Sequence, residues 1–224
     1  SKASFNSFQA VFPVKSGYAL GIGLQPYSNA AYTLARATTV PGTETIAEER
    51  LTGLGGIQRA FIQVGGSIGS VLTYGVGANF YFGSMETTWR YIPAITEFRT
   101  TVDVKDNYAR GIGWNAGTML RLGSKLNFGA AFIFPVNLET DTEEIYITGF
   151  RTESVRSQTR LPFSHGYGFN FTPSEALQVA GEVFMQNWGE VDPELIFGAT
   201  TTNTTRISFG LGYTPSTKIL SRFY

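Results

Sequence analysis

Apolar residues alternate one for one with small or polar residues over six stretches of this chain, and the clearest sets Tyr18, Leu20, Ile22 and Leu24 against Gly17, Ala19, Gly21 and Gly23. The same two-residue period returns in Leu72-Tyr74-Val76-Ala78-Phe80-Phe82, in Ile112-Trp114-Ala116 with Leu120-Leu122, and in Leu126-Phe128-Ala130-Phe132-Phe134. It returns again in Leu161-Phe163-His165-Tyr167-Phe169-Phe171 and in Ile207-Phe209-Leu211-Tyr213. Successive side chains of a strand point to opposite faces, so each stretch has one continuous apolar face and one face of Gly, Ser, Asn, Arg and Gln. A soluble sandwich would carry many Lys and Glu on its polar face. Mostly Gly and small polar residues stand there instead, as on the lumen side of a membrane barrel whose outer face meets lipid.

Between these stretches, short turns alternate with long polar connections. The short turns are Pro13-Val14-Lys15, Gly69-Ser70, Gly123-Ser124-Lys125, Thr172-Pro173-Ser174-Glu175 and Thr214-Pro215-Ser216-Thr217-Lys218, all built on backbone-adapted residues. The long connections run about Arg36 to Leu54, Ser84 to Tyr108, Glu139 to Ser157 and Gly189 to Thr205, and hold most of the acidic residues. The alternation predicts about ten antiparallel strands, near 3–12, 16–34, 55–68, 71–84, 109–122, 125–138, 157–171, 176–188, 203–213 and from 218 onward. Most match the roughly 9–11 residues of a tilted spanning strand, and every short turn falls on one side. The second strand is too long for the bilayer, so it extends past it or bulges at Pro26.

Composition agrees with this fold class, an all-β antiparallel transmembrane barrel. Only 15% of the 224 residues are charged, 14% are aromatic, and Gly occurs 26 times, whereas a soluble average is about 25% charged. No run approaches the roughly 18 consecutive apolar residues of a spanning helix. A formal net charge of +0 with scattered Arg offers no field for nucleic acid. The absence of Cys removes disulfides, thiol catalysis and thiolate metal sites. The length suits one domain over residues 1–224. Export is inferred rather than read, because no charged segment followed by an apolar one opens the chain.

Several segments in order carry a family likeness. Gly53-Leu54-Gly55-Gly56-Ile57-Gln58-Arg59-Ala60-Phe61-Ile62 followed by Gly75-Val76-Gly77-Ala78-Asn79-Phe80-Tyr81-Phe82-Gly83 resembles the paired-strand pattern of FadL-type outer-membrane transport proteins. So do Arg160-Leu161-Pro162-Phe163 through Gly166-Tyr167-Gly168 into Thr172-Pro173-Ser174, Leu177 to Trp188-Gly189, and Phe209-Gly210-Leu211-Gly212-Tyr213-Thr214-Pro215. The resemblance implies a fourteen-stranded barrel with an N-terminal plug that passes hydrophobic compounds such as long-chain fatty acids across a bacterial outer membrane. Against that pattern the chain reads as an internal fragment, without signal peptide, plug or last strands. Tyr224 has Arg222, Leu220 and Lys218 behind it, a poor lipid face for a terminal strand.

Candidate chemistry is sparse, and no enzyme activity, cofactor or metal is expected. His165 lies between Phe163 and Tyr167 on an apolar face and reads as a packed side chain. Glu44, Glu48 and Glu49, and Glu139, Asp141, Glu143 and Glu144, read as solvated loop charge, with cation bridging as the alternative. Trp89 and Trp188, near strand ends, read as interfacial aromatic belt. By parity the lumen receives Arg59, Gln63, Asn79, Asn115, Arg121, Asn127, Arg160, Asn170, Gln178, Glu182 and Gln186, with apolar Phe61, Ile133 and Phe184 among them. The ligand-binding candidates are therefore Arg59, Phe61, Gln63, Arg121, Ile133, Arg160, Glu182 and Phe184; an Arg among them suits the carboxylate of an amphipathic ligand. The expected partners are outer-membrane lipid and a hydrophobic small molecule. The rival readings are a structural or partner-binding barrel of a secretion system, holding a protein through its long loops, and a diffusion porin for polar solutes.

Overall fold

The computed structural model describes residues 7–39, 44–94, 99–146, 154–191 and 201–214, and these form one antiparallel sheet of 11 strands. They are β1 (Phe8–Lys15), β2 (Tyr18–Thr39), β3 (Ile46–Ile68), β4 (Leu72–Pro93), β5 (Thr101–Leu122), β6 (Leu126–Ile133), β7 (Val136–Ile145), β8 (Val155–Leu161), β9 (Ser164–Ser174), β10 (Leu177–Gln186) and β11 (Thr204–Tyr213). The pairing path is β1-β2-β3-β4-β5-β6-β9-β10-β11, with β7 on β5 and β8 on β7. No helix among the described residues is long and apolar enough to cross a membrane. The sheet curls into a half-barrel of the transmembrane class. The residues before Ser7, the turn after Thr214, the strand expected from 218 and Tyr224 lie outside the described residues.

The ladders sort the side chains into two faces. Leu20, Val64, Val76, Ala116, Phe132, His165 and Met185 share one row across seven strands. The adjoining row is Gly21, Gln63, Gly77, Asn115, Ile133, Ser164 and Gln186. Val76 at 54% exposure and Ile112 at 65% belong to the first face, whereas Asn79 at 1% and Tyr81 at 0% belong to the second. Curling explains the difference, since it spreads side chains on the convex face and crowds them on the concave one. The predicted parity therefore holds: apolar outward, small and polar inward.

The outer apolar band runs from Leu72 to Phe82 on β4 and from Leu122 back to Ile112 on β5. At about 3.3 Å per residue and a tilt of about 40°, such a segment rises about 25 Å, the height of a lipid-facing band. Its upper edge is the row Gln58, Phe82, Arg110 and Glu139, where polar groups reappear. Strands β2 to β5 continue well beyond that edge, to Thr39, Ile46, Pro93 and Thr101. The long connections expected there are consequently much shorter than the sequence pattern suggested. On the opposite side the first turn is Ser16-Gly17, with Gly17 at φ 81°, while Pro13 sits inside β1 opposite Ala19. The second strand is long and also irregular, its register slipping between Pro26 and Ser28.

One break reorganises the sheet. Ile133 pairs with Ser164 and Val136 with Leu161, which sets Phe134 opposite Phe163 and Pro135 opposite Pro162. Neither proline has an N–H to donate, so the ladder stops at that level. The N–H of Phe134 bonds instead to the Trp114 carbonyl at 3.0 Å, and the Phe163 carbonyl accepts from the N–H of Asn187 at 3.0 Å. Ile133 and Val136 both face inward although they are three positions apart, which regular alternation would place on opposite faces, because the break absorbs one step of the alternation. Beyond it Val136, Leu138 and Leu161 are inward and buried. Arg160, which pairs with Asn137, is exposed on the outer face. The assignment of Arg160 to the lumen is thus corrected: its parity was carried through Pro162, where the strand does not run regularly.

Candidate functional site

The inner face has a floor of backbone. Ala19, Gly65, Gly75, Gly117, Ala131 and Gly166 form one unbroken row from β2 to β9, over most of which lies an open trough of about 460 Å³. A row without large side chains lets another molecule approach the sheet closely. Phe184 and then Arg206 continue the row on β10 and β11.

Seven of the eight candidate residues stand on this face. On β3, Arg59 places its guanidinium 5.7 Å from the Phe61 ring centroid, the Phe61 ring covers Gly23, and Gln63 lies over Gly77. Ile133 shares its row with Gln63 and Asn115. On β10, Glu182 pairs with Arg206 at 3.1 Å, and Arg206 in turn lies 5.2 Å from the Phe184 centroid. Arg121 is exposed near the short turns, in a row with Asn127 and Asn170. The candidates therefore fall into groups on β3 and β10, with Ile133 and Arg121 between them, and do not converge on one point.

Above the floor the sequence reading missed an apolar belt. Tyr81, Val136, Leu138 and Leu161 are buried together, with Tyr27, Ile57, Ala109 and Trp188 packed against them. Tyr27 reaches Tyr81 edge to face at 5.1 Å from the irregular step of β2. Gly111 and Gly113 make room: a Cβ on Gly113 would collide with the Val136 side chain, and one on Gly111 would come within 2.7 Å of Leu138 Cδ2. The signal was present in the paired Phe134-Pro135 and Pro162-Phe163, since proline inside a strand pattern marks a break. Beside the belt, Asn79 Nδ2 donates to Asn115 Oδ1 at 2.9 Å. Asn79 Oδ1, the Tyr81 hydroxyl and Arg59 Nε are buried with no hydrogen-bond partner among the described residues.

Beyond the apolar band, at least five of the seven acidic residues read from the sequence as loop charge stand on strands and in ion pairs. Arg36 pairs with Glu49 at 2.6 Å, Arg50 with Glu48 at 2.6 Å, Lys105 with Glu144 at 3.2 Å, Arg110 with Glu139 at 3.1 Å and Arg156 with Asp141 at 3.4 Å. The Tyr146 hydroxyl and the Lys105 ammonium hold the Glu144 carboxyl below its ordinary range, and the Glu144 carboxylate in turn raises the Tyr146 phenol. No cluster of three or more metal-ligating side chains occurs among the described residues.

The tryptophans do not form the expected interfacial belt at these two positions. Trp89 lies beyond the band in the inner row with Leu51 and Asp103, and Trp188 packs against the inner cluster. Trp114 does face outward, 63% exposed. His165 is packed between the rings of Phe163 and Tyr167, at 5.3 and 5.5 Å, on the lipid face.

A family model described as BamG matches residues 1–224. No curated protein matches the chain significantly. Among solved structures, a Pseudomonas aeruginosa FadL homologue is similar with a TM-score of 0.58 at 11% identity, over 94% of this chain and 56% of that one. A TodX mutant described as a monoaromatic hydrocarbon channel aligns with a TM-score of 0.48 at 17% identity, over 83% of this chain and 54% of that one. The chain thus spans about half the length of these structures. The likeness to FadL-type proteins read from the sequence holds for the fold, while the matching family is a different one.

Proposed function

From the premise that this chain belongs to the BamG family and forms the wall of a transmembrane barrel, we propose that it sits in a bacterial outer membrane and passes hydrophobic small molecules through its lumen. The observation that carries this reading is the inner face itself. A floor from Ala19 to Gly166 admits close approach, while Phe61, Ile133 and Phe184 supply apolar contact area and Arg59, Gln63 and Arg206 supply a few fixed polar groups. A mostly apolar site with few placed polar groups suits a ligand with a long tail and a small head. The fold shared with a FadL homologue supports it. The complete protein in liposomes should admit labelled fatty acid or aromatic hydrocarbon faster than a sugar of similar mass. Sugar entry without hydrophobic entry would instead make it a diffusion porin.

A second reading, a partner-binding barrel, is favoured by a separate observation. Beyond the lipid band, Leu34 at 61% and Trp89 at 41% exposure share a row on the inner face, beside Tyr32, Leu51 and Tyr91. An exposed Trp flanked by half-buried Tyr and rimmed by ion pairs has the composition of an interface centre. A protein recovered with the wild type and lost with Trp89→Ala, joined to no transport of either solute class, would establish this reading in place of the first.

A further inference from the structure

We infer that Val136, Leu138 and Leu161, together with Tyr27 and Tyr81, form a constriction that closes the lumen to water and ions at the upper edge of the apolar band. The inference rests on the reading of the concave face as a lumen. It does not depend on which solute passes. Well below the belt the floor from Ala19 to Gly166 is glycine and alanine, most of it under an open trough, whereas at the belt Val136 and Leu138 are each 1% exposed, Leu161 7% and Tyr81 0%. Narrow apolar segments of a pore exclude ions by dewetting, because no group there replaces the ion's hydration shell.

The chain makes this belt by a specific device. The proline pair Pro135 and Pro162 shifts the parity of both strands of one hairpin, so residues that regular alternation would aim at lipid are turned inward, and Asn137, Glu139 and Arg160 are turned out. Gly111 and Gly113 on β5 leave the space that the inverted Val136 and Leu138 occupy. Tyr27 enters from the irregular step of β2. Irregularities in two separate strand pairs and two glycines on a third strand thus converge on one level of the lumen.

The test is ionic conductance of the complete protein in planar bilayers. Leu138→Ala and Leu161→Ala, singly and together, should raise conductance about threefold or more, since each shortens the apolar barrier. Arg160→Ala and Asn137→Ala, immediate neighbours turned the other way, should leave it unchanged. Heat-modifiable migration on gels checks that each variant has folded. Should an alanine variant fail that check, Leu138→Cys serves instead: this chain contributes no other thiol, and a charged thiol reagent should raise conductance on reaction. Folded variants that conduct as the wild type does, before and after reaction, would overturn the constriction. Raised conductance in variants of a protein that carries no hydrophobic solute would keep the constriction and refute the uptake reading.

Discussion

Phe134 and Phe163 face each other with ring centroids 6.2 Å apart, each beside a proline, at the level where the two strands of their hairpin stop pairing. The proline pair removes two donors from the ladder, and neighbouring strands take over the remaining groups at Trp114 and Asn187. The break therefore costs little in unsatisfied backbone, and it exchanges the faces of everything beyond it. That exchange is what turns Leu161 inward and Arg160 outward.

Gly111 and Gly113 should be intolerant of a methyl group for this reason. Gly113→Ala drives a Cβ into Val136, and Gly111→Ala meets Leu138 Cδ2 at 2.7 Å and the Asn137 carbonyl at 2.8 Å. Overpacking of this kind costs about 1–3 kcal/mol. At Gly210 nothing lies within 4 Å of an added Cβ, so Gly210→Ala should stay within about 0.5 kcal/mol of the wild type. Denaturant titrations in bilayers compare the three, and equal effects would refute the packing account.

The ion pairs beyond the lipid band should contribute little each. Arg36 is 75% exposed in its pair with Glu49 and Arg156 is 86% exposed in its pair with Asp141, so solvent screens both. Arg36→Ala or Arg156→Ala should cost less than about 1 kcal/mol, and the difference should shrink as salt rises. Titrations at low and high ionic strength measure both effects.

The sequence was most legible where two solvents act on one strand. Lipid on one side of Leu72 to Phe82 and the lumen on the other enforce strict alternation, and that alternation located the strands and their faces. Past Phe82 both faces meet water, alternation fades, and Ser84 to Pro93 with Thr101 to Tyr108 read as loop although they are continuous strand. Parity failed at Arg160 because Pro162 shifts it. Trp89 was misplaced because an aromatic near the expected end of a strand does not reveal that the strand continues. The belt around Tyr81 was not foreseen, since Val136 and Leu138 belong to it only through a pairing of prolines distant in sequence.

The contact of Tyr146 and Lys105 with Glu144 should depend on pH in two directions. The Glu144 carboxyl is held below its ordinary 4.5, so its contribution is present above that value and is lost as pH falls through the lower, folded one. The Tyr146 phenol is raised above 10.0, so its contribution is present below that value and is lost as pH rises through the higher, folded one. Amide protection along the Lys105 and Glu144 ladder, taken relative to the intrinsic exchange rate at each pH, should therefore fall at both extremes. Glu144→Gln should remove the acid limb, and an unchanged acid limb in that variant would show that another group controls it.

The two faces themselves should differ most sharply in their tolerance of charge. Val76 and Phe132 lie near the middle of the outer band, and Ala131 lies at the same height on the inner floor. Lipid cannot hydrate a guanidinium, so Val76→Arg and Phe132→Arg should each cost about 2–4 kcal/mol. At Ala131 a new Arg extends into the open trough, where water or the Gln63 and Asn115 amides can receive it, so Ala131→Arg should cost clearly less. Folding titrations of the complete protein in bilayers of one thickness decide between the faces. Equal penalties at Phe132 and its neighbour Ala131 would mean that both see the same medium, and the membrane-spanning orientation of the sheet would have to be abandoned.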